Sequence, residues 1–385
     1  MKDLTDNLTI YKVGGCVRDE ILGIKSSDND YVVVGSSVDE MLQLGFIPVG
    51  KHFPVFLHPQ THEEYALART EQKAGIGYHG FTFYTSPQVT LIEDLARRDL
   101  TINAIAKDRD NNLIDPFGGV SDLKNRIIRH VSDAFVEDPL RVLRVARFSA
   151  KFNFKIAPDT FSLIKKIVAS NELTCLPLER VYLEFEKTLD CKFMFNFFSV
   201  LYESGALNQV LSEFNPVFAQ INTLEKFKTG LDLCTSSNFN YNHKYATIYY
   251  FLSTITAPRD ILNILEQIPT TNENKTLAIL YIKHYKMLAN DLNKLDAMQI
   301  LNLVKQLDYN RKPKQFQNLQ SVILANQFDP QTKDLIARNF YFLLLASNKL
   351  KQFNYNDLEN KTAENINQIK IKLIDDVKQI FYGIL

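Results

Sequence analysis

The segment that most limits how this chain can fold is Ser26-Ser27-Asp28-Asn29-Asp30-Tyr31-Val32-Val33-Val34-Gly35, where two carboxylates lead straight into a run of strand formers. Tyr31 to Val34 reads as a buried strand, and a strand period of two puts Asp28 and Asp30 on one face at its entrance. Hard divalent ions such as magnesium take oxygen ligands and keep positions for water and phosphate. Two carboxylates a strand step apart therefore suit phosphoryl or nucleotidyl transfer. Taken alone, Asp-x-Asp is more often an ordinary polar turn, because Asp and Asn favour turns.

The preceding segment changes that balance. In Val13-Gly14-Gly15-Cys16-Val17-Arg18-Asp19-Glu20-Ile21-Leu22-Gly23 a strand ends in two glycines and a helix begins. Paired glycines let backbone N–H groups approach a phosphate, a helix N-terminus favours negative charge, and Arg18 adds a fork of donors. A phosphate cradle followed about a dozen residues later by a carboxylate pair points to a nucleotide and a metal together.

The rest of the first part continues the mixed pattern, with β-rich runs at Tyr11 to Val13, Val55 to Leu57 and Glu64 to Ala68, then a turn-rich segment from Gly75 to Pro87. From about Pro139 onward helical periodicity dominates. Asn215-Pro216, Ala257-Pro258 and Lys312-Pro313 punctuate blocks of helix-sized length. With 385 residues, 45% of them hydrophobic, the chain has enough apolar surface for two to four compact units. The fold class expected is α+β.

Lys plus Arg equals Asp plus Glu at 44 each, so a polyanionic partner must be met by local clustering of cations. Four separated cysteines, Cys16, Cys175, Cys191 and Cys234, form no zinc motif and no disulfide pattern and read as reduced thiols. The longest apolar stretch, Phe340 to Ala346, is too short to span a bilayer, and a cytoplasmic protein without membrane association is expected.

With G-G-x-V-R-D-x-x-L-G and D-x-D in place, the sequence resembles the class II tRNA nucleotidyltransferases of the polymerase-β superfamily. Lys51 to Thr70, Asp94 to Ala104 (DLARRDLTINA) and Glu137 to Phe148 (EDPLRVLRVARF) resemble the bacterial CCA-adding branch. The resemblance covers roughly the first half of the chain. It implies a nucleotidyltransferase head (1–136), a helical neck that recognises the base (137–205), a helical body (206–312) and a helical tail that binds tRNA (313–385). It also implies CTP and ATP as substrates, tRNA as acceptor, Mg2+ as cofactor, and no stable protein partner. By position, Gly15 and Arg18 match triphosphate-contacting residues, Asp28 and Asp30 the metal ligands, and Arg98 a nucleotide-binding arginine. Glu64 looks like the third carboxylate, the one that deprotonates the tRNA 3′-hydroxyl, although Glu63 beside it is an alternative. Asp99 could serve only to hold its helix and the neighbouring arginine.

Asp138-Pro139 starts a helix with an acceptor at the cap and proline in the first turn. Spacing of three keeps Asp138, Arg141, Arg144 and Arg147 on one slowly rotating face. A solvated basic stripe is the plain alternative. Cytosine and adenine both present an amino donor beside a ring-nitrogen acceptor, whereas uracil and guanine present a carbonyl beside an N–H. A carboxylate at Asp138 and a donor at Arg141 would satisfy the first pair and mismatch the second. Arg144 and Arg147 would then hold the triphosphate.

After Val200 the only histidines are His243 and His284, with no His-Asp dipeptide, and a helix-like run from Tyr245 to Ser253 takes the place expected for one. A body without phosphohydrolase activity follows. His52, His58 and His62 are expected to serve packing or surface roles rather than bind metal. The segment from Thr70 to Pro87, with Gly75, Gly77 and Gly80, is a candidate moving element. A poly(A) polymerase, or a tRNA-binding protein with an inert site, would share many of these features.

Overall fold

The computed structural model describes residues 4–25, 28–49, 55–73, 81–236, 239–327, 329–354 and 362–383. The chain divides into two compact units, one through Ser212 and one from Glu213. His52, Gly75, Gly77 and Gly80 lie outside the described residues.

The first unit is built on a seven-stranded sheet in the order β3-β4-β5-β2-β1-β8-β9. Its strands are β1 (Thr9–Val13), β2 (Asp30–Val34), β3 (Ile47–Val49), β4 (Val55–Leu57), β5 (Glu64–Leu67), β8 (Ala106–Lys107) and β9 (Leu113–Ile114); β6 (Arg69–Lys73) and β7 (Phe81–Thr85) pair in a separate antiparallel ribbon. The β-rich runs are strands as expected. The turn-rich reading of Gly75 to Pro87 is corrected, because Phe81–Thr85 is strand β7: alternating Phe, Thr and Tyr favour a pleated backbone over a turn. The strand expected from Glu64 to Ala68 stops at Leu67, and Arg69 already belongs to the ribbon.

The buried character of β2 has a direct packing cause. Val33 joins Leu8, Ile10, Met41, Phe46, Phe56, Tyr65 and Leu67 on one face, while Val32 joins Val13, Val89, Leu91, Leu95, Ala104 and Ala106 on the other. β2 and β5 run parallel, pairing Asp30 with Glu64, Tyr31 with Tyr65 and Val32 with Ala66. The Tyr31 and Tyr65 rings stack at 4.7 Å, which fixes this register through one face and leaves Asp30 and Glu64 together on the opposite one.

Short helices flank the sheet: α1 (Gly15–Ile21), α2 (Val38–Gln43), α3 (Leu91–Ala96) and α4 (Gly119–Asn125). A capping box formed by Thr90 and Glu93 sets the start of α3. The long α5 (Leu140–Phe152) follows, then α6 (Pro158–Ala169), α7 (Leu178–Thr188), α8 (Met194–Ser204) and α9 (Leu207–Val210); α5 packs on α7 and α8. Two further strands, β10 (Ile127–Ile128) and β11 (Lys155–Ile156), form a small parallel pair beside α5.

In the second unit the described residues are helical, from α10 (Asn215–Phe218), α11 (Ile221–Ser236), α12 (Tyr241–Ile255), α13 (Pro258–Gln267) and α14 (Asn272–Lys286) to α15 (Ala297–Leu307), α16 (Pro313–Ala325), α17 (Pro330–Gln352) and α18 (Ala363–Gly383). Helix α12 packs on α11 and α14, and α17 on α18. Proline opens α13, α16 and α17, and side-chain caps at Asn240, Thr271, Asp296 and Asp329 satisfy first-turn N–H groups. The run from Tyr245 to Ser253 lies inside α12, where Tyr245, Tyr249 and Leu252 are buried. The four cysteines are free thiols. Among the described residues no helix is long and apolar enough to cross a membrane.

Candidate active site

One cavity of about 630 Å³ lies in the first unit, within the size range of small-molecule sites. The sheet supplies Val13, Asp30, Val32, Glu64 and Ala66; Gly14, Gly15 and Arg18 come from the β1–α1 turn; Arg97, Arg98 and Asp99 follow α3; Asp138 comes from just before α5, and Arg141, Arg144 and Arg147 from one side of it. Apart from Asp28, every candidate residue named from the sequence meets here. Nine of the lining side chains are cationic and four are carboxylates, so the walls favour a polyanion while the sheet presents its carboxylates at one end.

Asp30 and Glu64 sit side by side on adjacent parallel strands. Partial loss of water pushes the Asp30 carboxyl above its ordinary pKa; nearby Arg98 opposes the rise and Asp28 adds to it. Asp28 precedes β2 rather than belonging to it, so the strand-period argument does not place it. It lines an adjoining cavity of about 440 Å³ with Asp30, Glu63 and Glu64, which brings the two aspartates to one region. Glu63 accepts from Asn29 at 3.0 Å and from Thr61 at 3.1 Å, whereas Glu64 reaches both cavities. Among the described residues no three His, Cys, Asp or Glu side chains form a ready metal cage. Two carboxylates with room left for phosphate suit a hard divalent ion that keeps open positions.

The arginines are held by buried acids. Arg18 is buried, donates to Asp19 at 2.8 Å and to the Asn103 side-chain oxygen, and lies over the Phe148 and Phe152 rings at 5.2 and 5.0 Å. Burial lowers its pKa, and the charge of Asp19 works against that. Asp94, fully buried, holds Arg97 at 2.7 Å and Arg98 at 3.1 Å. Asp99 does not hold the neighbouring arginine, as the sequence had suggested. It accepts from Arg144 at 2.7 Å, from Asn103 at 3.0 Å and from the Leu100 N–H at 2.9 Å. Burial would raise its pKa, but the Arg144 charge and these donors hold it down at about 2.

Asp138 lies just ahead of α5, whose cap position is held by Pro139 rather than by Asp138 as the sequence suggested; the Asp138 carboxylate accepts from the Leu140 N–H at 3.0 Å. It also faces Arg180 of α7 at 3.5 Å. Arg141, expected to donate to the base, has part of its fork committed to the backbone. Its Nη1 and Nη2 donate to the carbonyls of Ala134 at 3.0 Å and Arg97 at 2.6 Å, the second of them at the C-terminal end of α3. The rest of the guanidinium still lines the cavity. Arg147 donates to Glu184 at 2.5 Å, and Arg144 lies 4.0 Å from the same carboxylate. Arg180, Glu184 and Lys151 were not singled out from sequence. The available signal was Glu184 on the stripe Val181, Glu184, Phe185 and Thr188, a charge on an otherwise buried helix face.

Of the three clustered histidines, His58 and His62 are among the described residues. Buried His58 packs edge-on to Phe46 and accepts through Nδ1 from the N–H groups of Gln60 and Thr61. Exposed His62 sits at a left-handed turn with φ 59°.

A sheet that sets paired carboxylates opposite a cationic wall, under a long arginine-bearing helix, defines a nucleotidyltransferase head. Residues 10–129 match the family described as "Poly A polymerase head domain", and residues 153–218 that described as "Probable RNA and SrmB- binding site of polymerase A". The chain is 44% identical over 334 residues to the multifunctional CCA protein of Nitrosospira multiformis, covering 80% of each chain. It is 45% identical over 311 residues to the CCA-adding enzyme of Coxiella burnetii, again covering 80% of each. The CCA-adding enzyme of Bacillus stearothermophilus in complex with CTP shares the fold with a TM-score of 0.68 at 22% identity, over 98% of this chain and 89% of that one. The chain belongs to the family of bacterial CCA-adding enzymes, the tRNA nucleotidyltransferases.

Proposed function

We propose that this protein adds C, C and A to the 3′ end of tRNA without a nucleic-acid template, using CTP and ATP and releasing pyrophosphate. The observation that carries the reading is the cavity in which Asp30 and Glu64 share a sheet face opposite arginines from several elements, with Asp138 and Arg141 at the start of α5.

Asp28 and Asp30 would hold Mg2+, which when bound supplies positive charge to the triphosphate. Glu64 takes the proton of the tRNA 3′-hydroxyl. The freed oxygen bonds to the α-phosphorus as the bond to the β-phosphate oxygen breaks and pyrophosphate leaves. Gly15 lets the backbone approach the phosphates, and Arg18, Arg98, Arg144 and Arg147 neutralise them; their buried acid partners keep these groups in place before substrate arrives. Asp138 accepts from the exocyclic amino group of C or A, and Arg141 donates to the ring nitrogen from the part of its fork not given to backbone. The division into head (1–136), neck (137–205), body (206–312) and tail (313–385) belongs to the same proposal, with tRNA contacts in the tail and activity in the cytoplasm.

The test is incorporation into tRNA lacking its last three nucleotides, with Mg2+ and each NTP singly, then CTP with ATP, followed by sequencing of the extended ends. Extension that stops at CCA supports the proposal. A long A-tail would move the protein to the poly(A) polymerases, and binding without incorporation would leave an inert tRNA-binding protein.

A further inference from the structure

We propose that Asp94 is a positioning residue for nucleotide binding, one carboxylate that holds Arg97 and Arg98 in the cavity wall and ties them to the root of the β6–β7 ribbon. This rests on the reading of Arg98 as a nucleotide ligand. Asp94 is 0% exposed and lies on α3 one helical turn before the arginines. Its Oδ1 accepts from Arg97 Nη2 at 2.7 Å and Nε at 3.1 Å, and its Oδ2 accepts from Arg98 Nη2 at 3.1 Å. Oδ1 also accepts from the Arg69 N–H at 3.3 Å, while Arg97 Nε returns a bond to the Arg69 carbonyl at 3.1 Å. One buried charge thus fixes two guanidinium groups and the first residue of β6. Burying it would raise its pKa, yet the two arginine charges bring it below the ordinary carboxylate value, so the group is ionised and strongly coupled to both. A carboxylate serving packing alone would not need to divide its oxygens between two cavity-lining cations.

The experiment is a double-mutant cycle on the full chain, with the CTP dissociation constant measured by titration for the wild type, Asp94→Asn, Arg98→Lys and the double variant, each checked by thermal melting. Each single change is expected to weaken CTP about tenfold, the scale of one hydrogen bond to a charged group, and the double variant to be no weaker than either single one, because Asp94 acts through Arg98. Independent, additive losses would overturn the proposal, as would unchanged CTP affinity in Asp94→Asn. Unchanged affinity in Arg98→Lys would instead overturn the underlying assignment of Arg98. Should Asp94→Asn not fold, hydrogen exchange of the wild-type Arg69 amide decides: CTP should slow it, since that N–H is bonded to Asp94, and indifference to CTP would refute the coupling.

Discussion

Gly14→Ala gives the sharpest reading of how the phosphate turn and the nucleotide arginine depend on each other. Gly14 has φ 78° and ψ −130°, a conformation that costs an L-residue about 1–3 kcal/mol. A Cβ there would also lie 2.8 Å from Arg98 Nη1, closer than non-bonded heavy atoms sit, so the guanidinium must move by roughly half an ångström or more. For a unit of this size the strain lowers Tm by roughly 3–10 °C. Displacing Arg98 from a phosphate oxygen forfeits about 1.5–3 kcal/mol of charged hydrogen bond, a rise in KM for CTP of roughly 10- to 100-fold. Gly35→Ala separates the two effects, since Gly35 has φ 76° and nothing within 4 Å of its Cβ position. Both variants should melt lower, and KM for CTP, from initial rates of incorporation into tRNA lacking its 3′ nucleotides, should rise in Gly14→Ala alone. Equal KM values in the two variants would refute the argument that Gly14 makes room for a nucleotide-binding Arg98.

Asp30→Asn should lower the incorporation rate by about a thousandfold or more with little change in Tm, and chelation of divalent ions should abolish wild-type activity until Mg2+ is restored. Asp138→Asn replaces an acceptor with a group that can also donate; competition assays should show discrimination against UTP falling by roughly tenfold or more, and undiminished selectivity would remove Asp138 from base recognition. His284 is buried, its Nδ1 has no hydrogen-bond partner among the described residues, and burial, helped by Lys283, lowers its pKa from 6.5 to about 4. The unfolded chain therefore binds its proton first as pH falls, and this contribution to stability, full above pH 6.5, is lost progressively down to about pH 4. Urea denaturation followed across that range should show the loss, and His284→Gln should shrink it.

The candidate site was legible in sequence wherever a residue type met a local geometric demand. Gly14-Gly15 before a helix, acids ahead of a β-branched run, and arginines at a spacing of three each follow from backbone geometry, and all but Asp28 line the same cavity. The choice between Glu63 and Glu64 could not be made locally, because both flank a strand start. Parallel pairing of Glu64 with Asp30, fixed by the stacked tyrosines beneath, favours Glu64. Strand β7 was missed because glycine-rich flanks carried the turn reading and outweighed a short alternating run.

What the sequence determined by itself was the set of chemical groups and the order of elements that carry them, since glycine conformations, strand periodicity and helix spacing act over a few residues. The tertiary structure decided which charges are free to meet a ligand and which are committed to the protein. Asp99 and Glu184 neutralise arginines 45 and 37 positions away, and the fork of Arg141 is partly taken by the carbonyls of Ala134 and Arg97. Such pairings carry no local signal: a buried charge must find its partner wherever the packed chain brings one within reach.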